Sequence, residues 1–332
     1  MAIRVVVVGM GSRGRDWVRE IHNSPEFKLV ACVDTDNRVS KISDTEFYVD
    51  LREALAATSA DAVVIATPSD RHTELCYYAL TERVAVLVEK PFTTSLSEAV
   101  KVVSLAAKNE TPLVVAQNYR YMRSFRTART LISQGVLGPV GFAICQYYRV
   151  PHEMAASLAC LPNSVLWGVA VHHLDMLRYV LKQEATSVVA DSFSFPWGTV
   201  QNGASMRLML TFDGGTRAVY TASYESSGHQ FFEHGQEFYA RFAGEKATLH
   251  IFHRWLLLCE NGKLPRLIRR GSRNVTEEQI LLDQLKQALL SGEVPDANGL
   301  DNLQTMAIVE ACIQSAEQKR WINPQELLNE FD

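Results

Sequence analysis

The sequence predicts an α/β protein in two parts. An N-terminal doubly wound parallel sheet is followed by an α+β domain with a large open, mainly antiparallel sheet. Three observations carry this. Residues 1–118 alternate short apolar runs with helical patterns, as parallel βαβ units do. From about Val140 the apolar residues alternate with polar ones, as in strands covered on one face only. The 332 residues also exceed what one ordinary core holds.

Taken in order, residues 3–8, 28–33, 61–66, 84–88 and 112–116 are nearly continuous apolar runs, which is how strands buried on both faces read. Helical patterns fall between them at 15–23, 51–57, 73–80 and 97–108, the last with Ser97 placed to cap orphan amides. In the second half Met206, Leu208, Leu210 and Phe212 share one face of a strand. Asp213-Gly214-Gly215 supplies turn chemistry, and residues 216–224 return as a second strand. Further strands are expected at 142–150, 187–195, 237–242 and 246–258, and helices at 164–181, 277–291 and 302–318. The expected division is residues 1–120 and 121–332, the last helix being able to pack back on the first domain.

Composition narrows the function classes. With 47% hydrophobic and 21% charged residues and a mean hydropathy of −0.05, disorder, collagen and coiled coil are excluded. Lys plus Arg number 33 against 37 Asp plus Glu, a net charge of −4 that excludes non-specific nucleic-acid binding. Cys32, Cys76, Cys145, Cys160, Cys259 and Cys312 are scattered without a close pair, as reduced thiols in a reducing compartment are. The apolar run after Arg4 ends at Gly9, too short for a secretory segment, and no run reaches the roughly 18 residues of a membrane helix. A cytoplasmic protein is expected.

Gly9-Met10-Gly11-Ser12-Arg13-Gly14 follows the first expected strand and opens the first expected helix. There Gly9 permits a tight turn, Gly11 lets a pyrophosphate approach the backbone, and Gly14 allows close helix–sheet packing. The helix start offers unpaired amides and a partial positive charge to the phosphates. Asp34, ending the second strand, can accept ribose hydroxyl protons and would repel a 2′-phosphate. NAD is therefore expected over NADP, although Arg13 and Arg38 could neutralise such a phosphate. The plainer reading is an unliganded glycine turn with Asp34 capping a loop.

Three more segments end parallel strands, where ligands bind in open α/β sheets. They are Ala66-Thr67-Pro68-Ser69-Asp70-Arg71-His72, Glu89-Lys90-Pro91 and Asn118-Tyr119-Arg120-Tyr121. With these, His172-His173-Leu174-Asp175 and Asp301-Asn302-Leu303, the chain resembles the glucose–fructose oxidoreductase / inositol dehydrogenase / rhizopine-catabolism (Gfo/Idh/MocA) family over nearly its whole length. The resemblance implies a Rossmann domain, a second domain with a large open sheet, and hydride transfer between nicotinamide and a sugar, polyol or related hydroxy compound. It implies Lys90 next to the nicotinamide and the reacting hydroxyl, often before a cis Pro91, and the catalytic histidine at His172. It also implies cofactor contacts at Thr67, Pro68, His72 and Asn118, which join Met10, Ser12 and Glu89 in the expected cofactor set. Members pair their open sheets, so a homodimer or homotetramer is expected, with the alternation at 206–212 and 218–224 as the covering face.

The chemistry can be argued without the family. Moving hydride from a carbinol carbon requires a partner for the hydroxyl proton. A histidine, at about 6.5, can hold or release a proton near neutrality. A lysine, near 10.4, would need a drop of roughly three units, about 4 kcal/mol, to act as a base. Unless buried, Lys90 serves better as a cation that polarises the oxygen. The expected division is His172 for the proton and Lys90 for polarisation and orientation. Gly168, His172, Asp175 and Tyr179 share one helix face while Leu174, Leu177 and Leu181 form an apolar stripe. Asp175 either orients the imidazole or is structural, and His173 is a spare candidate. Arg120, Tyr148, Trp167 and Asp175 are the candidate substrate contacts, with Tyr147, His152 and His234 added by analogy.

The pattern also departs from the family. Relatives carry an aspartate four residues before the catalytic histidine and a glycine two before it, where this chain has Gly168 and Ala170. Glu153, Asp191, Glu225 or Glu233 could replace that acid. The gap keeps open a nicotinamide-binding sensor without catalysis; a methyltransferase on the same glycine turn would leave Glu89-Lys90-Pro91 without a role. Arg120, Arg123, Arg126 and Arg129 drift by about 60° per step on a helix and read as a solvated or domain-bridging surface. Arg266, Arg269, Arg270 and Arg273 read as a charged loop, an anion site being the alternative. His250 and His253 point to opposite faces of a strand, and no metal site is expected.

Overall fold

The structure, a computed structural model, describes residues 2–42, 45–149, 162–198, 203–226, 236–252, 255–271 and 275–331. The chain forms two compact units, residues 1–118 with 275–303 and residues 119–274 with 304–332. In the first, β1 (Ile3–Val8), α1 (Ser12–His22), β2 (Phe27–Val33), β3 (Glu46–Tyr48), α2 (Leu51–Ala57), β4 (Ala62–Ile65), α3 (His72–Thr81), β5 (Ala85–Val88), α4 (Leu96–Lys108) and β6 (Leu113–Val115) follow one another. All strand pairs are parallel, in the order β3-β2-β1-β4-β5-β6. Val5, Val6, Val7, Val63, Val64, Ile65, Val86 and Leu87 are wholly buried, which is why these strands read as unbroken apolar runs. The order reverses between β1 and β4, so the loops after those strands diverge and leave a crevice at their carboxyl ends.

Two local expectations for this unit change. The cap of α4 is Ser95, whose hydroxyl accepts from the Glu98 amide at 3.3 Å, while Ser97 lies inside the first turn. Both serines precede the same apolar pattern, and only the backbone shows which one is extended. The three-residue β3 (Glu46-Phe47-Tyr48) went unexpected because it is too short and polar to carry a period.

The rest of the chain supplies α5 (Arg123–Ser133), β7 (Val140–Arg149), α6 (Val171–Leu181), β8 (Ala185–Phe193), β9 (Ser205–Phe212), β10 (Arg217–Ser223), β11 (Gln236–Gly244), β12 (Ala247–Phe252), β13 (Trp255–Glu260), β14 (Arg266–Ile268), α7 (Glu277–Ser291), α8 (Gly299–Gln318) and α9 (Pro324–Asn329). Of these, α7 packs on α1, β5 and β6 of the first unit. An eight-stranded sheet runs β14-β13-β12-β11-β7-β10-β9-β8, antiparallel throughout except for the parallel pair β7 and β10. The strand expected over 246–258 is two, β12 and β13, paired antiparallel with Phe252 opposite Trp255. A run of apolar residues does not distinguish one long strand from two that fold together. The helix expected over 164–181 is present and contains a wider π-turn at Leu166–Ala170, which includes Gly168.

The covering face expected for an oligomer is also corrected. Leu208, Leu210, Phe212, Ala218, Tyr220 and Ala222 are all buried inside the protomer, Tyr220 bonding to His173 of α6. Helices of the same chain use that face. The opposite face leaves Phe142, Met209, Phe252, Trp255 and Leu267 exposed, and ladder register puts these on one side.

Candidate functional site

The glycine turn is built as its three positions require. Gly9 has φ +90° and a Cβ there would stand 2.7 Å from the Ala66 carbonyl carbon, so the residue must be glycine on both counts. A Cβ at Gly14 would fall on the carbonyl oxygen of Gly9. At Gly11 a Cβ meets nothing within 4 Å, so the backbone there is open to a ligand. Gly11 is also the N-cap of α1 and supplies no side chain to the first-turn amides, leaving them to an anion.

A cavity of about 440 Å³ adjoins this turn, lined by Gly9, Gly11, Asp34, Thr67, Pro68 and Leu75 among others. The Asp34 carboxylate is held at both oxygens, Oδ2 accepting from the Met10 amide at 2.6 Å and Oδ1 from the Asp36 amide at 2.9 Å. Its remaining lone pairs can take ribose hydroxyls. Thr67 Oγ1 is buried with no hydrogen-bond partner among the described residues. These features fit a dinucleotide's adenosine and pyrophosphate. The two cations considered for a 2′-phosphate are engaged elsewhere. Arg38 is paired with Asp36 at 2.7 Å, which holds the Asp36 carboxyl down to about 2. Arg13 donates to Glu89 at 2.8 Å and to Glu278 at 3.1 Å.

Glu89 and Lys90 sit at the carboxyl end of β5. The buried Glu89 carboxylate collects Arg13 and the Trp17 indole N–H, at 2.9 Å, so its side chain supports the turn. The Lys90–Pro91 peptide is cis. Burial pushes the Lys90 ammonium below the ordinary lysine range, opposed by the Glu89 charge and reinforced by Arg13. His72, expected at the cofactor, is wholly buried with its ring nitrogens 2.9 Å from the carbonyls of Pro91 and Thr67. It therefore ties the two loops together, and burial keeps its pKa below the usual histidine value. Asn118 donates to Glu278 at 3.3 Å.

In the second unit, the His172 ring lies flat on Tyr119, centroids 4.1 Å apart and planes within 9°. His173 turns to the sheet and shares a 2.9 Å hydrogen bond with Tyr220. Arg120 and Asp175, both expected at the substrate, satisfy each other: Nε and Nη2 of Arg120 meet the carboxylate at 2.5 and 2.7 Å, both groups buried. Thr305 adds a third bond to that carboxylate at 2.9 Å. Trp167 is buried in the π-turn. Tyr148 lies on the outer sheet face, bonded to Thr221 at 2.8 Å, whereas Tyr147 faces His173 with ring centroids 5.3 Å apart. The parity of the strand decides this, since neighbours point oppositely.

Of the acids considered as replacements at Gly168, Asp191 pairs with Arg207 and Lys319 at the surface. Glu225 accepts from the Phe195 amide and the Ser205 hydroxyl. Glu153, Glu233, His152, His234, His253, Arg273 and Cys160 lie outside the described residues. Sequence reasoning missed Trp17, Tyr119, Glu278 and Thr305. Each acts through a partner remote in the chain or through a ring stack, and no local pattern marks such a partner.

A glycine-turn Rossmann sheet with a carboxylate after β2 and a lysine at the carboxyl end of β5 has the pattern of a nicotinamide-dinucleotide oxidoreductase. Residues 3–117 match the oxidoreductase family with an NAD-binding Rossmann fold, and residues 125–250 match the Gfo/Idh/MocA C-terminal domain. The chain thus belongs to the Gfo/Idh/MocA oxidoreductase family, and its cofactor is NAD. Among similar proteins, inositol 2-dehydrogenase of Renibacterium salmoninarum is 28% identical over 322 residues, 93% of each chain. D-apiose dehydrogenase of Rhizobium rhizogenes is 24% identical, covering 92% of this chain and 94% of that protein. The fold is shared with an Agrobacterium radiobacter oxidoreductase solved with NAD+, L-tartaric acid and magnesium, at a TM-score of 0.87 and 20% identity over 98% of this chain and all of that one.

Proposed function

We propose that this enzyme transfers hydride between NAD and a sugar, a polyol or a related hydroxy compound. The observation that carries the proposal is Lys90, at the carboxyl end of β5 in the same sheet whose β1 end bears the glycine turn. Relatives named for inositol and D-apiose support the substrate class. When bound, the nicotinamide accepts or donates the hydride.

The chain's own residues do the rest. The backbone of Gly9, Met10, Gly11, Ser12, Arg13 and Gly14 holds the pyrophosphate, Asp34 the ribose, and Thr67 and Pro68 flank the cofactor. His72, Glu89 and Asn118 fix the loops that carry these groups. The Lys90 ammonium donates to the reacting oxygen, stabilising charge that develops there. His172 takes the hydroxyl proton on oxidation and returns it on reduction, its ring plane fixed by Tyr119. With glycine at position 168, proton handling rests on these two groups among the described residues. The buried thiols of Cys76, Cys145 and Cys312 support a cytoplasmic setting. The exposed outer sheet face supports assembly as a homodimer or homotetramer.

The test is Lys90→Met, assayed by NADH formation across a panel of polyols and aldoses. Turnover should fall by about 10²–10⁴-fold, while NADH binding followed by fluorescence is retained. Because Lys90's pKa is lowered, its charge is lost at a lower pH than for an ordinary lysine, so wild-type turnover should decline on the alkaline side. Lys90→Arg should move that decline upward. Undiminished turnover in Lys90→Met removes the assignment. Gly168 favours one second reading, a nicotinamide sensor, which NADH binding without turnover on any panel member would select.

A further inference from the structure

We propose that the groove between α5 and the loop after β14 is a binding site for a small phosphorylated ligand. The groove measures about 670 Å³ and brings together two arginine groups far apart in sequence, Arg123, Arg126 and Arg129 with Arg269. No Asp or Glu is among the described residues lining it. The sequence reading spread the helix arginines over half a cylinder, but their long side chains converge on one groove.

Residues 270 and 271 of this loop are tied to the helix. Arg123 Nε donates to the Gly271 carbonyl at 2.7 Å and Nη2 to the Arg270 carbonyl, and the Gly271 amide donates to Thr127 Oγ1 at 3.3 Å. Arg129 lies over the Tyr179 ring at 3.9 Å and donates to the Tyr179 carbonyl. These two arginines are positioned by neutral acceptors, and no carboxylate among the described residues pairs with either. Arg126 and Arg269 make no ion pair with a carboxylate among the described residues, and Arg126 Nε is buried with no hydrogen-bond partner among them. A cluster of like charges with unused fork-shaped donors is matched by the oxygens of phosphate, which guanidinium groups bind two at a time. The volume suits a small molecule. The net charge of −4 disfavours a nucleic acid as occupant.

Calorimetry on the full chain saturated with NAD, so that the glycine turn is occupied, tests the site independently of catalysis. Inorganic pyrophosphate and a hexose monophosphate are titrated separately, which distinguishes the free anion from a phosphorylated sugar. One-to-one binding of either is expected, weakened about tenfold or more in Arg126→Gln/Arg269→Gln, with NAD affinity unchanged. If the double variant does not fold, Arg269→Gln alone should weaken binding by about threefold, since that side chain is exposed. No binding at millimolar concentration, unaltered affinity in these variants, or tighter binding of a single-stranded oligonucleotide than of both probes would each overturn the proposal.

Discussion

Gly11 and Gly14 look alike in the motif and differ in what surrounds them. Gly14 has the Gly9 carbonyl where a Cβ would go, so Gly14→Ala must open the turn; a loss of about 2–4 kcal/mol is expected in urea unfolding. Gly11 has open space, so Gly11→Ala should leave the melting temperature nearly unchanged while weakening NAD binding by at least about tenfold, or 1.4 kcal/mol. Equal effects of the two on stability would contradict the geometry. The placement of these glycines and of Asp34 was readable because a backbone turn and a strand end follow from local pattern. The roles of Arg13, His72 and Glu89 were not. Their side chains meet Glu278, Pro91 and Trp17, and contacts across 76 residues or more, as for Arg13 with Glu89 and Glu278, have no local signature.

For elements, period identified strands and helices well and their ends less well. Ser95→Ala should destabilise by about 1 kcal/mol, whereas Ser97→Ala should stay within about 0.5 kcal/mol. Thermal unfolding of both decides which serine caps α4. Strand parity mattered more for the site. A one-residue difference put Tyr147 against His173 and sent Tyr148 to the opposite face. Likewise β12 and β13 read as one run because both are apolar, and the register that pairs Phe252 with Trp255 is a tertiary fact.

At the scale of the molecule, the buried Asp175 carboxylate joins the 118–121 turn, α6 and α8 through Arg120 and Thr305, with Arg178 3.8 Å away. Asp175→Ala would leave Arg120 buried without its anion, and a loss of about 3–5 kcal/mol is expected by urea unfolding. A loss below about 1 kcal/mol would show that the pair is replaceable by water. For assembly, Trp255→Glu on the outer sheet face should shift the sedimenting species toward monomer, and a wild-type monomer at micromolar concentration would end the oligomer proposal. The sequence by itself determined the parallel sheet, the mainly antiparallel second sheet, the glycine turn and the lysine turn, because strand burial and backbone geometry leave periodic, local traces. Only the tertiary structure decided which charges are consumed internally, which tyrosine faces His173, and that two distant arginine groups share one groove. Ion pairs and packing form between residues that the chain order separates, so burial and distance, which no spacing encodes, set their roles.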